Sequence, residues 1–305
     1  MGKIYSSCLI FLSLTAFSHE GYKTLQDTTS GIVAPGAKPE LVSSQFSFTE
    51  GPAVDKNGNI FFTDQPNDKI WKYSTDGQLS IFLDKTGRAN GMYFDKKGNL
   101  IVAADEKFEL WSVSPKGKVN ILLTNFQGKE LNGPNDLWIR PDGGIYFTDP
   151  YYQRDYWTRE KPQLASEDVF FLSKNRKKLF PVDTTLLKPN GIIGTADGKY
   201  VYVADIRGNK TYKYKVNKDG TLSDKQLFVD VGSDGMTMDS KGNLYLTGGG
   251  KGVSIYSPEG KKLLQIDVPR TTNCAFGGKN RDVLFITGGT SLYSIQMQVR
   301  GGPYK

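Results

Sequence analysis

One short turn recurs along this chain, each time leading into a strand. Asp55-Lys56-Asn57-Gly58-Asn59 leads into Ile60-Phe61-Phe62-Thr63-Asp64, and Asp95-Lys96-Lys97-Gly98-Asn99 into Leu100-Ile101-Val102-Ala103-Ala104. Arg140-Pro141-Asp142-Gly143-Gly144, Thr195-Ala196-Asp197-Gly198-Lys199 and Asp239-Ser240-Lys241-Gly242-Asn243 do the same for the strands that begin at Ile145, Tyr200 and Leu244. A sixth turn, residues 277–282, leads into Val283-Leu284-Phe285-Ile286-Thr287. Asn and Gly supply the positive φ of tight hairpins, and the β-branched and aromatic runs suit pleated strands. Third and fourth strands follow in most units, as in Ile70-Trp71-Lys72-Tyr73, a turn at Asp76-Gly77, then Leu79-Ser80-Ile81-Phe82-Leu83. No long amphipathic helix pattern interrupts the repeat. Several strands per unit, repeated every 40 to 50 residues or so, are the signature of propeller blades. The expected fold is all-β, a six-bladed β-propeller with four-stranded blades over residues 44–300.

A second repeat runs in phase with the first. Glu50, Asn90, Asn135, Asn190, Asp234 and Asn273 each stand just before an inner strand, at spacings of 40, 45, 55, 44 and 39 residues. Gly or Asp follows five of them, as in Glu50-Gly51, Asn90-Gly91, Asn135-Asp136, Asn190-Gly191 and Asp234-Gly235. A propeller places equivalent positions around one axis, so the repeat gathers six oxygen-bearing side chains at a channel mouth. A turn accounts for any one Asn-Gly pair. It does not account for carboxylates at two of six equivalent positions, because buried polar groups are costly unless paired.

The single histidine, His19, constrains the chemistry. Ser-His-Asp and Cys-His mechanisms and histidine-based metal sites are excluded from the repeat region. Carboxylate and amide oxygens suit a hard cation, and calcium accepts irregular oxygen shells. Glu50 and Asp234 would balance its charge, with the Asn135 and Asn190 amides filling further positions. Calcium is the expected ion, with zinc, magnesium and manganese as alternatives. Cys274 reads as a buried structural thiol. Cys8 lies in an apolar N-terminal run, so no disulfide is expected within the mature chain.

The formal net charge of +7 is spread over turns, and Arg176-Lys177-Lys178 is the one basic triplet. No nucleic-acid module, Walker motif or dinucleotide fingerprint stands in its required context. The expected partner is a small molecule; the oligomeric state is not readable. Residues 151–168 lengthen one unit with polar and aromatic side chains, and read either as a lid over one face or as a tolerated insertion.

Lys3 followed by the apolar residues 4–17 and by Ala16-Phe17-Ser18 reads as a secretory signal cut between Ser18 and His19. Residues 1–18 are then the signal and residues 19–43 a lead-in. The mature protein is expected to be exported, periplasmic or secreted, without a transmembrane span. An N-myristoylation pattern at residues 1–6 and an uncleaved anchor are the alternatives.

Four motifs carry a resemblance to a known family. Phe48-Thr49-Glu50-Gly51-Pro52, Leu131-Asn132-Gly133-Pro134-Asn135-Asp136-Leu137, Pro189-Asn190-Gly191-Ile192 and Ser233-Asp234-Gly235-Met236 resemble, in order and distance, the metal-site motifs of the SMP-30/gluconolactonase family. Phe147-Thr148-Asp149-Pro150-Tyr151 and Thr272-Asn273-Cys274-Ala275-Phe276-Gly277-Gly278 are similar to its bacterial gluconolactonase branch. The resemblance implies one divalent ion in the channel, held by Glu50, Asn135, Asn190 and Asp234, and hydrolysis of sugar lactones or related esters. It implies Asp234 as the acid/base residue. Asn90, Asp136 and Asn273 are expected to line the substrate pocket. Gly133 departs from the animal branch, which has arginine there, so that branch's substrate preference does not transfer.

The expected mechanism follows from those parts. The ion polarises a lactone carbonyl, water attacks, and Asp234 accepts the proton. A carboxylate beside a cation is a weak base, sufficient for an activated ester but not for an amide. A carbohydrate- or protein-binding propeller with a structural ion, and a phosphotriesterase on the same site, are the competing readings.

Overall fold

A computed structural model describes residue 2, residues 31–248, residue 250 and residues 252–302. The signal reading lies outside these residues, apart from Gly2. Among the described residues, twenty-four strands form six four-stranded antiparallel sheets. Blade 1 runs Thr49–Val54, Ile60–Asp64, Lys69–Tyr73, Leu79–Asp84, and blade 2 runs Ala89–Phe94, Leu100–Ala104, Glu109–Val113, Val119–Leu123. Blades 3, 4 and 5 begin with Leu137–Ile139, Pro189–Gly194 and Met236–Met238. Blade 6 runs Thr271–Gly277, Val283–Gly288, Ser291–Gln296, and its outer strand comes from the other end of the chain, Glu40–Ser43. The fold is the expected six-bladed propeller.

Residues 40–43, which precede residue 44, therefore belong to the last sheet. Their strand pairs with Ser291–Gln296, Glu40 opposite Ser294 and Leu41 opposite Tyr293. This covers an edge that would otherwise present unpaired backbone groups. It also ties the two ends of the ring together without a covalent link.

Local chemistry explains the repeated turn. The Asp55 carboxylate accepts the Asn57 and Asn59 amides at 2.9 and 3.0 Å, while Asn59 Nδ2 donates to its other oxygen at 2.7 Å. Asp95 with Asn99, and Asp239 with Asn243, repeat the arrangement. The hydrophobic core lies between blades rather than inside one. Ala53, Phe61 and Ile70 of blade 1 pack on Met92, Leu100 and Val102 of blade 2, and comparable clusters fill the other five interfaces.

The first strands of the six blades contact one another in ring order and surround the axis. Four of them lose regular register at the end that carries the polar repeat, between Glu50 and Ala53, Ala89 and Met92, Pro189 and Ile192, and Thr271 and Asn273. Such irregularities re-aim side chains.

Candidate metal centre and active site

The loops that enter the inner strands are held by carboxylates at the ends of the second strands. Asp64 accepts the amides of Ser47 and Phe48, Asp149 those of Asn132 and Gly133, and Asp205 those of Leu187 and Lys188. Each holds its blade's entry loop just before the polar position of that blade.

Contacts between neighbouring blades run through all six polar positions. Gly51, at φ +52°, lies so close to the Asn90 carbonyl that no Cβ fits. Gly91 stands the same way against Asn135 and Asp136, Gly191 against the Asp234 backbone, and Gly235 against the Asn273 amide. Asp136 takes the glycine's place in blade 3. Its carboxylate accepts the Leu137 amide at 2.8 Å and reaches the Ile192 amide of blade 4 at 3.4 Å. Asn273 Nδ2 closes the ring by donating to Glu50 Oε2 at 3.0 Å. The structure thus brings together Glu50, Asn90, Asn135, Asp136, Asn190, Asp234 and Asn273.

Their environments differ. Glu50 is 4% exposed, and its Oε2 also accepts the Gly51 amide. Asn273 is held at both ends, since its Oδ1 accepts the Cys274 amide at 2.8 Å. Its amide supports Glu50. Asn90 and Asn135 are buried, and neither side chain makes a hydrogen bond among the described residues. Asn190 is 2% exposed, and its Nδ2 donates to Asp234 Oδ1 and to the Tyr152 hydroxyl, both at 3.0 Å. Its Oδ1 is buried and has no hydrogen-bond partner among the described residues.

Burial raises the proton affinity of three carboxyls at the ring. Burial holds Glu50 well above the usual carboxylate range, and the charges of Asp234 and Asp136 push it further. Burial lifts Asp136 to about 7 against its hydrogen bonds to Leu137 and Ile192. Asp234 rises to about 6 through burial, opposed by the Asn190 hydrogen bond and the Arg154 charge. Burying carboxylates this close is unfavourable unless a cation or protons compensate them.

The donor set fits a hard divalent cation: two carboxylates, neutral amide oxygens, and one buried amide oxygen with no other partner. Among the described residues, no three His, Cys, Asp or Glu side chains converge as a metal cluster. Two of the four expected ligands are amides, so charged types alone would not form such a cluster. Cys274 sits in the core between blades 5 and 6, burial raises its thiol pKa strongly, and it is an inert structural group.

The insertion at residues 151–168 reaches the ring. Tyr152 bonds Asn190, Arg154 Nε donates to Asp105 Oδ2 at 3.3 Å, and the Tyr156 hydroxyl donates to the same oxygen. Trp157 packs edge-on against Phe108 at 4.8 Å, under the Arg159 guanidinium. The insertion thus packs against blades 2 and 4. Gly133 is explained here too. At φ +145°, a Cβ would lie 2.9 Å from Asp105 Oδ1 and 3.0 Å from the Trp157 ring. Sequence reasoning noted Tyr152 only as one of the aromatic residues of the insertion and did not single out Arg154, Asp105 or Lys188; the aromatic and polar composition of the insertion was the available signal.

A large cavity lies elsewhere. About 1250 Å³ in volume, it opens among the hairpin turns near Asp55, Lys96, Arg140, Asp197 and Asp239, and none of the ring residues lines it. A cavity of about 30 Å³ between Asp136, Ile192, Met236 and Asn273 shares Tyr93, Ile193 and Thr237 with it. The buried carboxyls whose proton affinity is raised, Glu50, Asp136 and Asp234, lie toward the other mouth, which is therefore the candidate site.

The profile of the SMP-30/gluconolactonase/LRE-like region matches residues 48–290. The chain belongs to this family. A gluconolactonase from Zymomonas mobilis is 29% identical over 294 residues, covering 86% of this chain and 82% of the relative. Among solved structures, a gluconolactonase from Xanthomonas campestris superposes with a TM-score of 0.81 at 27% identity, over 87% of this chain and 91% of that one. The calcium-binding protein regucalcin from Agrobacterium tumefaciens shares the fold, with a TM-score of 0.73 at 17% identity over 87% and 95% of the two chains. Membership in the SMP-30/gluconolactonase/LRE-like family matches the motif resemblance in the sequence. No helix among the described residues is long and apolar enough to cross a membrane.

Proposed function

We propose that this protein is a metal-dependent lactonase that opens sugar lactones at the ring of Glu50, Asn135, Asn190 and Asp234. The observation that carries the reading is the ring of oxygen-bearing side chains at one mouth of the channel, linked by the Asn190–Asp234 and Asn273–Glu50 hydrogen bonds, in which the buried Oδ1 of Asn190 has no partner among the described residues. The gluconolactonase relatives supply the substrate class.

Glu50, Asn135, Asn190 and Asp234 would hold one divalent cation, calcium by preference. When bound, such a cation supplies Lewis-acid polarisation of the lactone carbonyl. Asn273 and the Gly51 amide hold the Glu50 carboxylate in place. Asp234, half-buried and oriented by Asn190, accepts a proton from the attacking water. The acyl carbon–oxygen bond then breaks, and the departing ring oxygen takes a proton back from Asp234. Water and lactone become one hydroxy acid, with no net proton change on the enzyme. Asn90 and Asp136 face the same space and are proposed to contact the sugar.

Turnover of a panel of five- and six-membered sugar lactones, beside one phosphotriester and one simple aryl ester, tests the reading. Preferential lactone opening supports it. Preferential phosphotriester cleavage replaces the reaction. A folded, metal-loaded protein inert to all three makes the ring a binding site.

A further inference from the structure

The Asn190 amide has one chemically sensible orientation. Its two N–H groups donate to Asp234 Oδ1 and to the Tyr152 hydroxyl, each at 3.0 Å. A flipped amide would set its oxygen against the Asp234 carboxylate. With both protons engaged, Oδ1 is left buried and unpartnered.

The Tyr152 hydroxyl is itself held in place. Lys188, two residues before Asn190, donates to the Tyr151 carbonyl at 2.6 Å and pairs with Glu167 at 3.2 Å. Glu167 accepts the Tyr151 amide at 3.1 Å. Both backbone groups of Tyr151 are thus fixed by one ion pair between the insertion and blade 4. The Lys188 ammonium lies over the Tyr152 ring, 4.3 Å from its centroid, and the Arg154 guanidinium lies 5.5 Å from it.

We infer that Tyr152 is a positioning residue for the cation site: the Lys188–Glu167 clamp docks the insertion so that the Tyr152 hydroxyl locks the Asn190 amide with Oδ1 toward the channel. The inference rests on Asn190 being a cation ligand. It gives the insertion a role in metal affinity rather than only in covering the site. Groups that orient metal ligands commonly contribute tenfold or more to affinity.

A double-mutant cycle read by calorimetry with calcium chloride tests this without any substrate. Tyr152→Phe keeps the ring and removes only the hydroxyl. It should weaken calcium binding by about tenfold or more, with the melting temperature of the cation-free protein unchanged. In the Asn190→Asp background the same change should cost little, because a carboxylate's two oxygens are equivalent and need no lock. Should Tyr152→Phe not fold, Lys188→Met takes its place in the cycle, with the same pattern expected. Equal losses in both backgrounds mean a general structural role and overturn the inference, as does unchanged affinity in Tyr152→Phe. A wild type that binds no divalent cation overturns it together with the metal reading. Failure of the lactonase reading would instead show as lactone inactivity in a wild type that still binds calcium.

Discussion

Asn190 Nδ2 donates to Asp234 Oδ1 at 3.0 Å across the boundary between blades 4 and 5. That bond couples two polar positions 44 residues apart in sequence and leaves the Asn190 Oδ1 buried without a hydrogen-bond partner among the described residues. On the proposed reading, it makes the ring a prepared ligand set rather than a collection of strand caps.

Charge removal at the ring should appear first in metal affinity. Glu50→Gln and Asp234→Asn each delete one formal charge and should weaken calcium binding by about tenfold or more. Asn90→Ala, which removes a side chain without a hydrogen bond among the described residues, should leave affinity nearly unchanged. Titration calorimetry on the three variants checks this, and equal affinities would remove the ligand set.

The raised carboxyls predict a pH dependence. Burial puts Asp136 at about 7 and Asp234 at about 6, from ordinary values of 3.8. The cation-free fold therefore binds these protons more tightly than the unfolded chain does. Their contribution to stability is full below about pH 4 and is lost as pH rises through about 6 to 7. Calcium requires the ionised forms, so its affinity should rise over the same window. Melting temperatures with and without calcium, between about pH 5 and about pH 8, should show a calcium-induced gain that grows with pH. A pH-independent gain would contradict the assignment.

Gly133→Ala should destabilise the protein by about 1–3 kcal/mol. The new methyl meets Asp105 and Trp157, and the backbone is in a region that favours glycine. Thermal unfolding measures it, and an unchanged melting temperature would show that the insertion does not pack against this loop.

Ring closure makes the N-terminal strand indispensable. A chain beginning at residue 45 lacks Glu40–Ser43 and exposes the edge of Ser291–Gln296. It should melt at a lower temperature and aggregate, whereas one beginning at residue 31 should behave as the full chain. Scanning calorimetry with light scattering distinguishes them.

The blades were legible in sequence because each turn carries its own chemistry. Asp55 and Asn59 specify a hairpin with neighbours only four residues apart. The six polar positions were legible because they recur in phase with the turns. The reason for the glycine after most of them was not. Gly51 reads locally as a turn former, yet it is required by the Asn90 carbonyl of the next blade. Composition also could not tell where the insertion docks. Lys188 and Glu167 meet across 21 residues, and nothing in their local sequence marks them as partners. Asn273 was expected to line the pocket; that its amide supports Glu50 depends on the ring closing, which joins residues 223 apart.

The central claim is that lactone opening occurs at this ring and needs its cation. Initial rates on a sugar lactone for purified wild type, for chelated wild type and for Asp234→Asn saturated with calcium test it most directly. Rapid opening by the wild type, its loss on chelation with recovery on added calcium, and an inactive but calcium-loaded Asp234→Asn are the predicted results. Full activity in the chelated protein or in that variant would contradict the account.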